Sequence, residues 1–503
     1  MTDPSIIESI QGVSGPSMPG MTEVAACFAL AALVSLAGTL AVIRKPPVKA
    51  GMDAPDGRRK QHEKPVPRLG GAPIFMALML GSLVLVLLGR LSVQGLLPIL
   101  LCCSLIFAVG FFDDLKPLGA RVKLVGQVLV ALLLYGLGLS IDVLSNPFGE
   151  GGLTLGWWSL PLTVFWLVAI PNIINLIDGM DGLAGGFGLF LSLTLASVGY
   201  IGGNPDVMLL SVLMGGALTG FLFFNLPPAK IFLGDGGAYL LGFFIAAVSL
   251  KGAQKGSVIA ALLVIIIALG VPILDTLFAI LRRAIRGVPI FSADAEHIHH
   301  RLILLGYSKG RALVAMYSVC LVLSLVGISI LLTKGVALPV AGAVLFLLAV
   351  GAARYLGYVK SWTRLREQVR SALDRRRRLE HIRAHAFALE FDIERCGSLA
   401  EFEALLKSRF QWIGFKEKAS EATQDIQIPV GAAVMITLHC PSDELLRTEW
   451  FIRADAFATL FERCLERWGA LPEFLLPVTQ ADAGNLNSDA RASSPLESHV
   501  SAN

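Results

Sequence analysis

Long apolar runs, broken by short polar stretches, dominate the chain. At about 20 residues per spanning helix, they predict eleven segments, at about 23–43, 71–89, 92–111, 123–142, 157–175, 182–201, 207–225, 236–250, 256–281, 311–332 and 336–357. The polar stretches are unequal. Those after the odd-numbered segments carry most of the basic residues, from Arg44, Lys45 and Lys60 to Arg282 and Arg301, whereas those after the even-numbered segments hold only Arg90, Lys251, Lys255 and Lys334. Loops rich in Lys and Arg stay in the cytoplasm, so the pattern puts the N-terminus outside and the odd-numbered loops inside. Nearly every unusual polar motif then falls on the inner face. The outer loops, such as 145–156, hold little that could do chemistry. A protein with its reactive groups at one face modifies something at that face, whereas a transporter more often places them near the bilayer midplane.

Past residue 360 the pattern changes. Residues 362–395 read as a long helix, with Leu365, Val369, Leu373, Leu379, Ile382, Ala386, Leu389 and Ile393 near helical spacing and the run Arg375 to Arg378 as a solvated face. Ser398 and Glu401 make a capping box for a helix to about 409. Residues 428–440 read as a strand, and 453–468 as an amphipathic helix with Phe457, Leu460, Phe461, Cys464 and Trp468 inward. The expected division is an extracytoplasmic segment 1–22, a membrane domain 23–357, a cytosolic accessory domain 358–478 and a disordered tail 479–503, rich in Ser, Ala and Asn. The fold expected is an all-α polytopic membrane protein of about eleven transmembrane helices with a cytoplasmic active-site cleft, plus a small C-terminal α+β cytosolic domain.

Composition agrees with a membrane protein. Of 503 residues, 54% are hydrophobic and 16% charged, and the mean hydropathy is +0.68, too apolar for a soluble globular domain. The net charge of +4 adds little, and no nucleic-acid partner is expected. Residues 1–22 contain no Lys or Arg, so the first segment lacks a signal-peptide n-region and is expected to remain as a membrane helix. The seven cysteines show no zinc spacing and read as reduced and structural.

The candidate chemistry centres on residues 171–186, PNIINLIDGMDGLAGG, with carboxylates Asp178 and Asp181 and amides Asn172 and Asn175. Helical spacing would put Asn175, Asp178 and Asp181 on one line, a set of oxygen ligands suited to a hard cation carrying phosphate. Asp113 and Asp114 end the third segment. Adjacent carboxylates repel unless a cation lies between them, which suits a metal-adjacent site with a general base. Lys116, Arg121 and Lys123 follow, in reach of phosphate. Asp235, between Gly234 and Gly236, sits on a small-residue turn suited to Mg2+, just before a helix start. His297, His299, His300 and Arg301 lack zinc-finger spacing and fit recognition of phosphate and sugar hydroxyls. His62, Pro65, Pro67, Arg68, Gly70 and Gly71 form a stiff basic turn. Asp275 lies inside the ninth segment, where a carboxylate is costly and either functional or held by hydrogen bonds.

Together, RKQHEKPVPRLGG, FFDDLKPLGARVKL, NIINLIDGMDGLAGG, FNLPPAKIFLGDGGAYLLGF, VPILDTLFAILRR and SADAEHIHHRL resemble, in order over about 23–357, the polyprenyl-phosphate N-acetylhexosamine-1-phosphate transferases. The nearest type is the bacterial undecaprenyl-phosphate N-acetylglucosamine-1-phosphate transferase. The resemblance implies transfer of the sugar 1-phosphate from a UDP-N-acetylhexosamine to undecaprenyl phosphate, with release of UMP. It also implies Mg2+, with Mn2+ as a tolerated substitute, and a multi-pass protein of the bacterial inner membrane in cell-surface polysaccharide synthesis. On this likeness Asp235 and Asn175 would hold the metal. Asp113 and Asp114 would orient or deprotonate the lipid phosphate, or one of them would attack directly, Lys123 would neutralise phosphate and Asp178 would support the site. Asp181 would face the uracil, and Asn172, His62, Arg68, His297, His299, His300 and Arg301 would bind substrate. Gly236 stands where the family often has a hydroxyl residue, and Ala295 where a basic one is common. The C-terminal extension lies outside the resemblance and is expected to dock a second protomer, downstream glycosyltransferases or lipid. The alternatives are a cation-coupled transporter using Asp113, Asp178 and Asp275, and a membrane anchor for an active C-terminal domain.

Overall fold

The computed structural model describes residues 18–46, 52–53, 65–145, 152–253, 258–286, 297–333 and 336–355. Beyond these it describes 370, 377, 380, 384–385, 387–413, 423–430, 434–441 and 447–471. Contacts divide the chain into one unit of Met1–Ala284 with Pro289–Lys360 and a second of Ile285–Val288 with Ser361–Asn503.

The first unit is a helical bundle. Its helices are α1 (Met21–Arg44), α2 (Gly71–Leu87), α3 (Val93–Leu115), α4 (Ala120–Gly136), α5 (Ser159–Ile177), α6 (Leu183–Ile201), α7 (Pro205–Asn225), α8 (Gly234–Ala253), α9 (Val258–Ala268), α10 (Gly270–Arg286), α11 (Ile298–Leu304), α12 (Lys309–Leu332) and α13 (Leu338–Tyr355). All eleven apolar segments expected from the sequence are helical in their described residues. Among the described residues seven helices are long and apolar enough to cross a membrane, or eight if the bent pair α9–α10 is one span. Helices α2 and α4 have 17 residues each, a length of about 25 Å, short of the ~30 Å hydrocarbon core. The ninth segment is two helices bent by 66°. Pro272 explains the break, because it has no N–H for the Ala268 carbonyl four residues earlier. That carbonyl faces the Cys320 thiol, at 4.0 Å.

Helix α8 is the hub, touching α2, α3, α5, α6, α7 and α9. It is apolar around its whole circumference, as a central helix must be, and Phe243, Phe244, Leu240 and Leu241 are fully buried. Helix α7 is buried over most of its length, with α1 packed along it. Two short antiparallel pairs decorate the bundle: β1 (Met52–Asp53) with β2 (Val66–Pro67), and β3 (Val143–Ser145) with β4 (Gly152–Thr154).

In the second unit, residues 387–395 are helical, followed by α14 (Leu399–Ile413), the hairpin β5 (Thr423–Val430) and β6 (Val434–Pro441), and α15 (Arg447–Trp468). The single strand expected at 428–440 is corrected to this hairpin, which pairs Val430 with Val434 and Thr423 with Pro441. The α14 cap forms as a box. Ser398 Oγ accepts from Glu401 N at 3.3 Å, and Glu401 Oε2 accepts from Gly397 N at 2.9 Å. Leu460, Phe461 and Cys464 are buried, as are Phe402 and Leu406. Trp468 is half-buried and rests on the Phe402 ring, 5.5 Å away. The Phe457 side chain, and most of the long helix expected at 362–395, lie outside the described residues.

Candidate active site

The sequence motifs meet because alternate helices bring them to the same end of the bundle. Asp113 and Asp114 are at the C-terminal end of α3, Lys123 begins α4, Asn175 ends α5, and Asp235 opens α8. A short stretch before α2 is drawn in by strand-like hydrogen bonds. Phe232 N donates to Pro67 O, Gly70 N to Phe232 O and Gly71 N to Leu233 O, each at 2.9 Å. This pairing brings exposed Arg68 to the rim, where its charge acts on both Asp114 and Asp178.

The two adjacent carboxylates have different work. Asp114 caps α8: its Oδ1 accepts from Asp235 N and its Oδ2 from Gly236 N, both at 2.8 Å. Anionic oxygens on the first amides of a helix are stabilised by its dipole. Helices α3 and α8 approach so closely here that a Cβ on Gly110 would lie 2.5 Å from Asp235 O and 2.6 Å from Gly236 Cα. Asp113 accepts from Leu118 N at 2.6 Å, and its second oxygen accepts from Lys123 Nζ at 3.1 Å. The same ammonium donates to Asp235 Oδ2 at 3.0 Å. A lysine from α4 therefore bridges carboxylates from α3 and α8, so the cation expected between Asp113 and Asp114 lies between Asp113 and Asp235.

The central stretch is helix–turn–helix, so the expectation that Asn175, Asp178 and Asp181 share one helical face is corrected. Helix α5 ends at Ile177 and α6 starts at Leu183. Gly182, with φ 78°, supplies the left-handed residue that turns the chain. Asp181 Oδ2 accepts from Ala229 N at 3.2 Å, tying this turn to the connection between α7 and α8. Asp178 is enclosed by the cluster. Burial first, and then the charges of Asp235, Asp114 and Asp181 against that of Arg68, raise its pKa well above the usual carboxylate range. Asn175 lies beside Tyr239 of α8. Asn172, expected to bind substrate, uses its amide hydrogens within the bundle, donating to Gln127 Oε1 at 2.5 Å and to Val168 O at 2.7 Å.

The histidines arrive from the other side. Asp275 accepts from Ile298 N at 2.8 Å and lies 3.0 Å from His297 Nδ1, so this buried carboxylate caps α11 and holds the first histidine. The His299 ring stacks parallel to His297 at 5.8 Å and lies 4.2 Å from the tilted His300 ring. A Cβ on Gly179 would lie 3.1 Å from His299 Nε2, so His299 rests on the turn between Asp178 and Asp181. It is 2% exposed and neither ring nitrogen has a hydrogen-bond partner. Burial, with His300 and His297 beside it and Asp275 in opposition, pushes its pKa down to about 3. His300 is exposed and Arg301 half-buried on the same short helix. His62 lies outside the described residues.

Comparison with known proteins decides the family. Residues 96–253 match the family described as Glycosyl transferase family 4. The chain is 37% identical over 309 residues to a probable undecaprenyl-phosphate N-acetylglucosaminyl 1-phosphate transferase of Bacillus subtilis, covering 61% of this chain and 85% of that one. The chain belongs to glycosyl transferase family 4, the polyprenyl-phosphate hexosamine-1-phosphate transferases. As a family 4 member it is also 32% identical over 330 residues to a decaprenyl-phosphate N-acetylglucosaminephosphotransferase of Mycolicibacterium smegmatis, covering 60% of this chain and 81% of that one. It is 32% identical over 298 residues to a phospho-N-acetylmuramoyl-pentapeptide-transferase of Halalkalibacterium halodurans, covering 56% and 89%. The matched family 4 region runs from α3 to α8 and contains the lysine–carboxylate bridge and the central turn, whereas Arg68, Asp275 and the histidines lie beyond it.

Two contributors to the family 4 site escape a reading of motifs. Asn225, buried at the end of α7, accepts from Gly182 N at 3.1 Å and donates to Ile231 O at 2.8 Å. Its place in the Asn-Leu-Pro-Pro stretch was a usable signal. Tyr317 of α12 donates to Gly182 O at 2.5 Å. Nothing in its apolar surroundings marked it.

Proposed function

We propose that this multi-pass membrane protein transfers N-acetylglucosamine 1-phosphate from UDP-N-acetylglucosamine to undecaprenyl phosphate at the cytoplasmic face of a bacterial inner membrane. An oxygen of the acceptor phosphate attacks the β-phosphorus, the bond from that phosphorus to the bridging oxygen breaks, and UMP leaves. The sugar keeps its bond to the β-phosphate, and the product is undecaprenyl-diphospho-N-acetylglucosamine. The observation that carries the reading is the Asp113–Lys123–Asp235 bridge, with both Asp114 oxygens on the first amides of α8. Phosphoryl transfer asks a protein mainly for positioning and charge neutralisation, and this is a preformed arrangement of both.

The donor set suits Mg2+. Among the described residues no three of His, Cys, Asp and Glu gather as a closed metal cage. Mg2+ characteristically takes one or two carboxylates and fills the remaining positions with water and substrate phosphate. The Lys123 ammonium marks a place between Asp113 and Asp235 where positive charge fits. Asp235 and Asp113 would hold the ion, with Asn175 nearby, and Mn2+ would serve in its place. Bound there, the ion would neutralise diphosphate charge as the phosphorus–oxygen bond breaks. Lys123 would then turn to phosphate. Arg68 and Arg301 would pair with phosphate oxygens, His299 and His300 would meet the sugar, and Asp181 would meet the uracil. The carboxylates of Asp113 and Asp114 already accept from Leu118 N and from the α8 amides, which supports direct attack by the lipid phosphate over a covalent aspartyl intermediate.

The transporter reading loses its support. Asp113 and Asp178 belong to one cluster, and Asp275 is tied to His297 and Ile298 at the same end, so the three do not line a path through the bilayer. The cytosolic unit is read as a docking element for a second protomer or for downstream glycosyltransferases. The experiment for the main reading uses purified protein, Mg2+, undecaprenyl phosphate and a panel of UDP-sugars, following UMP. UDP-N-acetylglucosamine should release UMP only when the lipid is present, and Asp235→Ala should abolish release while leaving a folded protein. Release without lipid, or full activity of the variant, contradicts the reading.

A further inference from the structure

The turn that carries Asp178 and Asp181 is gripped from outside the motifs. The N–H of Gly182 donates to Asn225 Oδ1 at 3.1 Å, and its carbonyl accepts from the Tyr317 hydroxyl at 2.5 Å. Both groups of one left-handed residue are thus held, from α7 on one side and from α12 on the other. Asn225 is itself fixed, because its Nδ2 donates to Ile231 O at 2.8 Å. Tyr317 is equally constrained. A Cβ on Gly186 would overlap its ring and hydroxyl, so the first turn of α6 admits the side chain only because glycine is there. Phe190 and Phe187 meet the same ring edge-on, with centroids 5.5 and 6.5 Å away.

A phenylalanine would fill this seat equally well by volume. The hydroxyl is the difference, and a buried hydroxyl takes a hydrogen-bond partner. The partner here is the carbonyl of the residue that sets the course of the turn. Helix α12 follows α11 after four residues, so one run of chain lays His299 on Gly179 and Tyr317 on Gly182, the two ends of the same turn.

We infer that Tyr317 is a positioning residue for the transferase reaction, whose hydroxyl fixes the turn 178–182, and with it Asp178 and Asp181, against the histidines of α11. It touches no reacting atom. The inference rests on the reading above, in which Asp181 of this turn meets the uracil and the α11 histidines beside it meet the sugar, both parts of the donor. Loss of the hydroxyl should therefore weaken use of the donor and spare the acceptor.

The test is Tyr317→Phe in the full-length protein in lipid nanodiscs, with UMP release measured against UDP-N-acetylglucosamine and undecaprenyl phosphate separately. The control is Tyr307→Phe, which removes a hydroxyl bonded to Tyr355 of α13 at 2.7 Å. Tyr317→Phe should lower kcat/KM for the UDP-sugar by about ten-fold, the factor that corresponds to one buried hydrogen bond. The change should lie in the donor KM, with the acceptor KM unchanged, and Tyr307→Phe should match wild type. Wild-type constants in Tyr317→Phe, or an equal loss toward both substrates, overturn the inference while leaving the transferase reading in place. An inactive wild type overturns the transferase reading itself, and the inference falls with it.

Discussion

Replacing Lys123 with methionine removes the positive charge that bridges Asp113 and Asp235, and keeps a chain of similar length. Its Nζ lies 3.1 and 3.0 Å from the two carboxylates, and the three side chains are 22%, 13% and 28% exposed. At an effective dielectric of ~20, each such contact is worth about 5 kcal/mol before desolvation is charged against it. Breaking a buried pair costs about 3–5 kcal/mol and breaking an exposed one about 0–1. These side chains lie between the two cases, so the net loss should be about 2 kcal/mol, with Asp113 and Asp235 left to repel each other. The assay is thermal unfolding of detergent-purified protein, first in chelator and then across a Mg2+ titration. In chelator, Lys123→Met should melt several degrees below wild type. Added Mg2+ should raise the variant more than wild type, because a divalent ion takes over the neutralisation that lysine supplied. Equal melting in chelator, together with equal response to Mg2+, would refute the claim that these carboxylates form a cation site.

Two further outcomes follow from the same geometry. His299 has its folded pKa lowered to about 3 from the usual 6.5, so folding is favoured by its neutral form. That contribution is complete above pH 6.5 and is lost as the pH falls from there towards 3, by up to about 2 kcal/mol at pH 5. His299→Gln should flatten this part of the stability–pH curve, and an unchanged curve contradicts the burial argument. Gly110→Ala places a methyl about 2.5 Å from the Asp235 carbonyl. Overpacking of this kind costs about 1–3 kcal/mol, and moving the α8 N-terminus off Asp114 should cut UMP release. Wild-type activity with wild-type melting would mean the two helices can part without harm.

Much of this site was legible in the sequence because its chemistry is carried by local motifs. Adjacent carboxylates at Asp113 and Asp114, a Gly-flanked Asp235 and the His297–Arg301 string each announce themselves by residue type. What the motifs hid was the division of labour. Nothing in the order Asp-Asp shows that Asp114 faces the α8 amides while Asp113 faces Lys123, because that depends on where α8 crosses α3. Helical spacing misled at Asp178 and Asp181, because α5 ends at Ile177 and both residues lie in the turn before α6 starts at Leu183. Each of the eleven hydropathy segments is helical, although α2 and α4 are only 17 residues long and the ninth segment is a bent pair. The single strand expected at 428–440 joins the end of β5 to most of β6, because both strands carry apolar residues at alternate positions and read as one run. Asn225 and Tyr317 act on the backbone, Asn225 on Gly182 and Ile231 and Tyr317 on Gly182, and the apolar surroundings of Tyr317 carry no sign of it.

The central claim is that one pocket passes the sugar and its phosphate together to a lipid phosphate. It is tested most directly with UDP-N-acetylglucosamine carrying a labelled β-phosphate, mixed with purified protein, Mg2+ and undecaprenyl phosphate. The label should move into the lipid fraction in step with UMP release, with UMP itself unlabelled, and Asp235→Ala should stop both. Label that leaves with the nucleotide, or a lipid that gains sugar without phosphate, would contradict the account.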